Sequence, residues 1–305
     1  MRLAELPQRK LEKQLRAPGG LTLVTGPFTT RLRSPILSVA SGLAELYRDF
    51  PIVPDAQYAD FHIEVRAPQT VRRWFRPQVL FLFEGKSVFK PLAYHQAFPM
   101  LEWGLNWCVT SQVNHHLLFH AAVVARDGAA VVLPAPPGSG KSTLCAALAA
   151  SGWRLLSDEL AIVDVETTEL RGLSRPVSLK NESIPVIRSF APEAFVSEPC
   201  HDTLKGTVAH LRPSQHSVEC AMAPVRPAWV VFPRFRPGAG TELTPRRRGS
   251  AFMELARHAF NYTTLGRIAF ERTADLIERS ACYDFTYSRL DEAVATFNAL
   301  EPPCA

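Results

Sequence analysis

The stretch AAVVLPAPPGSGKSTLCAALAASG, residues 129–152, constrains the fold more than any other part of the chain. Its first six residues are continuously apolar, the composition of a strand covered on both faces. A glycine loop follows, and Ala and Leu then recur at helical spacing from Lys141. Gly152 sits where a helix C′ residue belongs. Upstream, HLLFHAAVVA is a second apolar run, separated from the first by the turn signal Arg126-Asp127-Gly128. Downstream, WRLLSDELAIVDVE (153–166) reads as a strand. Strand, loop, helix and strand in that order predict an α/β unit whose sheet is flanked by helices.

The loop A-P-P-G-S-G-K-S departs from G-x-x-x-x-G-K-[ST] at its first position, where Ala135 stands. Its phosphate-facing half is intact. Gly138 and Gly140 lack Cβ, so the backbone can wrap an anion with its N–H groups turned inward. A helix starting near Lys141 adds the positive end of its dipole. Gly138, Ser139, Gly140, Lys141, Ser142 and Thr143 are therefore the candidate ATP-binding residues, with Lys141 on the β/γ-phosphates and Ser142 on Mg²⁺. Asp158 and Glu159 follow on the next strand, which the short helix predicts to be the neighbour of the loop's own strand. One carboxylate there can take a proton, and Glu159 can serve the metal alongside Ser142. Asp164 is the rival acid, but it lies about 20 Å further along an extended strand. No D-x-x-G, N-K-x-D or L-S-G-G occurs, which argues against Ras-type GTPases and transporter ATPases.

The remainder divides into an N-terminal α+β module, 1–114, and a larger domain, 115–305. In the first, ADFHIEV (59–65) alternates as a strand, VLFLFEGKSVFKPLA (79–93) reads as a hairpin turning at Glu84-Gly85-Lys86, and FPMLEWGLNWCVTSQ (98–112) as a helix over that sheet. In the second, the proline-rich segment 174–248 predicts long ordered loops around one strand at 228–233. Helices are expected at 249–263, 265–280 and 288–300. A net charge of +5 on 305 residues, 21% of them charged, is a mixed surface and points to neither nucleic acid nor membrane. The N-terminus has no apolar leader, and the stretch 103–125 is too polar to span a bilayer. Six scattered cysteines (108, 145, 200, 220, 282, 304) without C-x-x-C fit reduced thiols in a cytoplasmic protein. His210, His216, Cys200 and Cys220 match no standard zinc spacing.

Residues 120–164 resemble the core of the HPr kinase/phosphorylases. His120, Lys141, Ser142, GWRLL (152–156) and Asp158 fall in register with it. The chain is more similar to the HPr-kinase-related kinases, type A, whose further marks resemble SLKNES (178–183), TLKGTVAHLRP (203–213), WVVFPRF (229–235) and HAFNY (258–262). Ala135, Glu159 in place of a second aspartate, and the absence of E-I-R-G-L-G depart from the pattern; the last argues against dephosphorylation. The resemblance implies a P-loop core of the HPr-kinase/PEP-carboxykinase type, ATP and Mg²⁺ as cofactors, and transfer of phosphate to a Ser/Thr-type hydroxyl. It implies Asp158 as general base with His120 beside it. It also implies an acceptor peptide or small protein, presented by a small peptide-binding partner, and leaves oligomeric state open. Lys180, Lys205 and Arg234 are candidate substrate cations. Two other readings remain: a nucleotide-gated scaffold with little catalysis, and a small-molecule kinase acting on a serine-like alcohol.

Overall fold

The computed structural model describes residues 1–54, 56–69 and 75–303; Cys304 lies outside them. The described chain builds three sheets. The N-terminal one takes the order β1 (Leu21–Thr25), β2 (Phe28–Arg33), β3 (Phe61–Arg66), β4 (Gln78–Phe83), β5 (Lys86–Ser87), with β6 (Leu92–Ala93) also on β4. The β2–β3 pair is parallel and the others antiparallel. The expected hairpin at 79–93 is thus shorter than its composition suggested. Only Lys86–Ser87 pair back across the Glu84-Gly85 turn, and Leu92–Ala93 return to the other end of β4. Helices α1 (Gln8–Arg16), α2 (Leu37–Leu46) and α3 (Ala97–Gln112) supply the apolar cover. At Gly104 in α3 a Cβ would stand 2.0 Å from the Phe81 ring, so only glycine lets the helix lie this close to β4.

The second sheet runs β11 (Leu170–Arg171), β10 (Leu160–Asp164), β7 (His116–Arg126), β8 (Ala129–Pro134), β15 (Arg226–Phe235), β17 (Ala281–Tyr287), β16 (Glu242–Pro245), and β9 (Arg154–Ser157) also pairs with β7. Strands β8, β15 and β17 are mutually parallel. The uninterrupted burial of β8 has the expected cause. Val131 and Leu133 pack towards α4 (Lys141–Ala150) and α10 (Leu290–Asn298), while Ala130 and Val132 pack towards α7 (Arg248–Arg257) and α9 (Arg267–Glu278).

The segment 153–166 is not one unbroken strand beside β8. The tight turn at Asp127-Gly128 already sets β7 on that edge of β8, so the returning chain can only add to the far edge of β7. There it keeps register through a bend, Ser157 opposite Val123 and Leu160 opposite His120, with Asp158 and Glu159 at the bend itself.

The expectation of long loops over 174–248 is also corrected. A third, antiparallel sheet occupies much of it, in the order β12 (Val177–Lys180), β14 (Gly206–Leu211), β13 (Cys200–Thr203), with helices α5 (Ser183–Phe190) and α6 (Gln215–Glu219) attached. The prolines do not prevent this because they stand where no ladder N–H is needed. Pro176 and Pro199 precede strands, Pro213 follows one, and Pro185 lies in the first turn of α5. The helix expected at 249–263 ends at Arg257, and a short α8 (Tyr262–Leu265) follows. The N-terminal core continues into Leu118, Leu160, Ile162 and Leu173. Among the described residues, no helix is long and apolar enough to cross a membrane.

Candidate active site

The glycine loop joins β8 to α4. Gly138 and Gly140 take φ of 84° and 88°, the left-handed region that glycine alone enters cheaply. The loop is braced from the side: Phe235 N–H donates to Ser139 O at 2.8 Å, and Tyr287 O–H donates to Gly140 O at 2.9 Å. A Cβ on Gly140 would stand 2.5 Å from that tyrosine oxygen. Ala135, the departure from the usual pattern, is buried at the end of β8.

Lys141 opens α4 and is only 6% exposed. Its Nζ lies 3.1 Å from Nε2 of His120 on β7. Burial, then the charge of Lys141, hold the His120 pKa down to about 4, so at neutral pH the imidazole is uncharged and accepts from the ammonium. Burial also lowers the Lys141 pKa, against the opposing pull of Asp158 and Glu159.

Asp158 is 5% exposed. Its Oδ2 accepts from Ser178 N–H at 3.2 Å, whereas the buried Oδ1 has no hydrogen-bond partner. Burial first, then Glu159, push its pKa up to about 6 despite Lys141, the Ser142 hydroxyl and Lys180. Glu159 beside it goes the other way. Burial would raise its pKa, but Lys205, Lys180, Lys141 and Arg175 together hold it below the usual range. Two adjacent carboxyls with oppositely displaced pKa values suit different tasks, one holding or taking a proton and the other a fixed charge.

Lys180 and Lys205, loop cations in the sequence, therefore converge on the acidic pair. They are carried by the end of β12 and the β13–β14 turn, which Asn181 ties together by accepting from Thr207 N–H at 3.0 Å. Arg234 remains exposed on β15. The rival Asp164 sits at the far end of β10, opposite His116. It accepts from Arg171 at 3.0 Å and from Glu166 N–H at 2.9 Å, and so closes a turn. Asn261 of the HAFNY stretch braces β7, accepting from Leu118 N–H and donating to His116 O. His216 and Cys220 approach to 3.6 Å on α6, while His210 is buried edge-on to Phe98. Among the described residues no three His, Cys, Asp or Glu side chains gather as a metal cage.

Sequence reasoning missed a buried polar chain from α3. Asn106 donates to Glu159 Oε2 and accepts from Arg175. Arg175 pairs with Glu102 at 3.7 Å, and Glu102 accepts from Tyr47 O–H at 2.5 Å. Trp103 lies on the same helix with Lys205 over its ring, 5.0 Å from the centroid. The available signal was Glu102 and Asn106 four residues apart in an otherwise apolar helix, which places them on one face.

These elements define a mixed α/β chain with a glycine loop, a buried lysine and an acidic pair at one sheet edge. Residues 98–171, from α3 through the loop to β11, match the family model described as SynChlorMet cassette protein ScmC. No curated protein matches the chain.

Proposed function

We propose that the chain is an ATP- and Mg²⁺-dependent kinase with a P-loop core of the HPr-kinase type, transferring the γ-phosphate to a Ser/Thr-type hydroxyl on a peptide or small protein. The observation that carries this reading is the unpartnered Oδ1 of Asp158, a buried carboxyl with its pKa at about 6, close to Lys141 at the head of α4. A proton acceptor tuned near neutrality beside an anion-binding loop is what hydroxyl activation requires.

Ser142 would hold Mg²⁺ at its hydroxyl, and Glu159, with Oε2 taken by Asn106, has Oε1 left for the ion or its water; bound there, the ion would neutralise phosphate charge. In this reading Lys141 exchanges His120 for the phosphate oxygens, and the loop amides share the developing charge. Asp158 Oδ1 takes the acceptor's proton as the acceptor oxygen attacks the γ-phosphorus in line. Lys180, at the end of β12, and Lys205, in the β13–β14 turn, keep Glu159 ionised.

The test is ATP turnover with and without candidate acceptor peptides, read as ADP release and as phosphate mass on the acceptor. Hydrolysis alone should be slow, and the true acceptor should raise ADP release by roughly tenfold or more. Lys141→Ala should weaken ATP binding by about tenfold to 150-fold in isothermal titration. Tight acceptor binding with flat hydrolysis and no phosphate gain would instead favour a nucleotide-gated scaffold.

A further inference from the structure

Strands β8, β15 and β17 are parallel, so the glycine loop that leaves β8 runs up beside the carboxyl ends of β15 and β17. On its other side β8 has β7, and β7 with the neighbouring bend carries His120 and the acidic pair. The loop therefore stands between two unlike flanks. One holds the buried charges of the site, and the other is made of aromatic rings.

On that second flank Phe235 and Tyr287 are register partners, their ring centroids 5.6 Å apart. Both follow the alternation that sets Trp229, Val231 and Phe285 on the α4 face of the sheet. Tyr287 is buried and its hydroxyl is spent on Gly140 O. Phe235 lies directly against the loop, since a Cβ on Gly140 would stand 2.8 Å from the Phe235 Cβ, yet Phe235 is 44% exposed. An exposed apolar side chain is by itself ordinary. This one is held in place, by its N–H on Ser139 O at 2.8 Å and by its ring on Tyr287. The turn after it is fastened too. Arg236 N–H donates to Tyr287 O at 3.0 Å, Ala239 N–H to Arg236 O at 3.1 Å, and Ser288 O–H to Ala239 O at 2.6 Å. Space beside this frame is open, because a Cβ on Gly138, Gly238 or Gly240 would meet nothing within 4 Å.

We propose that Phe235 is the platform on which the base of the bound nucleotide stacks. The inference rests on the nucleotide site of the kinase reading and adds the donor's class, a nucleoside triphosphate and not a bare polyphosphate. With its phosphates in the loop, the donor must turn its nucleoside end towards one flank. The flank at Asp158 is buried and charged, and the transfer occupies it. A flat, uncharged base gains a ring face at Phe235. Ligands of open α/β sheets lie outside the carboxyl ends of parallel strands, and this ring sits at such an end.

The test is isothermal titration of the full chain, with Mg²⁺, against ATP and against methyl triphosphate, which carries the charges of ATP and no base. ATP should bind more tightly by about fivefold to 150-fold, the range that one base gains from one aromatic side chain. Phe235→Ala keeps the Cβ that faces Gly140 and the N–H that braces Ser139, and should bring this ratio of affinities close to one. Phe235→Trp should preserve it. The ratio is independent of the fraction of active protein, and thermal melts check that each variant is folded. Equal affinities in the parent, or a ratio unchanged in Phe235→Ala, would overturn the proposal. So would a ratio lost in Phe235→Trp as well, since the ring would then act only on the shape of the loop. These outcomes leave the kinase reading standing. If neither ligand binds, or if Lys141→Ala binds both as the parent does, the nucleotide site itself falls and this inference with it.

Discussion

Replacing Asp158 with asparagine separates what the carboxyl costs the fold from what it does in the chemistry. Its proton is held up to about 6 in the native state, against 3.8 for an unperturbed aspartate. Between those values the native state keeps a proton that the unfolded chain has lost, so stability falls as pH rises through this window. Above it both states are ionised and the deficit is constant. The gap between 3.8 and about 6 amounts to about 3 kcal/mol. Asparagine imitates the protonated acid and keeps an oxygen for Ser178 N–H. Asp158→Asn should therefore stabilise the ligand-free protein by about 3 kcal/mol at a pH of about 8, several degrees in Tm for a chain of this size. At a pH of about 4 the gain should nearly vanish, because the native aspartate is then protonated. Urea titrations and thermal melts at both pH values measure the difference. In the same variant, phosphate transfer should drop on the order of 10²–10⁴-fold. A variant less stable than the parent at the higher pH would refute the reasoning, as would a gain that does not change with pH.

Two further substitutions test the surroundings of the site. Arg175→Met leaves Glu102 buried, 4% exposed, without its cation, and should cost about 3–5 kcal/mol in denaturant titration; adding Glu102→Gln should recover much of the loss, and no recovery would mean that the pair is not the cause. Gly138→Ala and Gly140→Ala both force a side chain into the left-handed region, for about 1–2 kcal/mol. Only at Gly140 must Tyr287 and Phe235 also move, since a Cβ at Gly138 meets nothing within 4 Å. Gly140→Ala should thus be worse by at least about 1 kcal/mol, and melts showing equal losses would count against the latch described for the loop.

What was legible in the sequence had local causes. Continuous apolarity from Ala129 to Leu133, glycines at 138 and 140, and Ala/Leu spacing after Lys141 predict β8, the loop and α4 within a few residues. Reading 153–166 as one strand beside the loop's own strand puts Asp158 within a strand, whereas it stands at the bend between β9 and β10, both of which border β7 and not β8. The third sheet was illegible since β12 and β13 are four residues each and their partner β14 is supplied from 206–211. Seven-residue β17 was legible and passed over: Tyr283, Phe285 and Tyr287 alternate with Asp284 and Thr286 and share one face. The chain Asn106–Arg175–Glu102–Tyr47 follows no motif. It exists because α3 docks across the bend at Asp158, a tertiary event that no window of sequence encodes.

The latch on the glycine loop has a consequence for how the chain comes into being. Tyr287 holds Gly140 from 147 positions downstream, and β8 finds its parallel neighbour only at 226–235. On the ribosome, therefore, residues 133–150 emerge and wait for roughly half of the polypeptide before their geometry can be set. Contacts of such sequence separation also make for slow closure once synthesis ends. Any capacity of the loop to grip an anion is in this way withheld from fragments and nascent chains, and arrives as one of the last properties of the finished molecule.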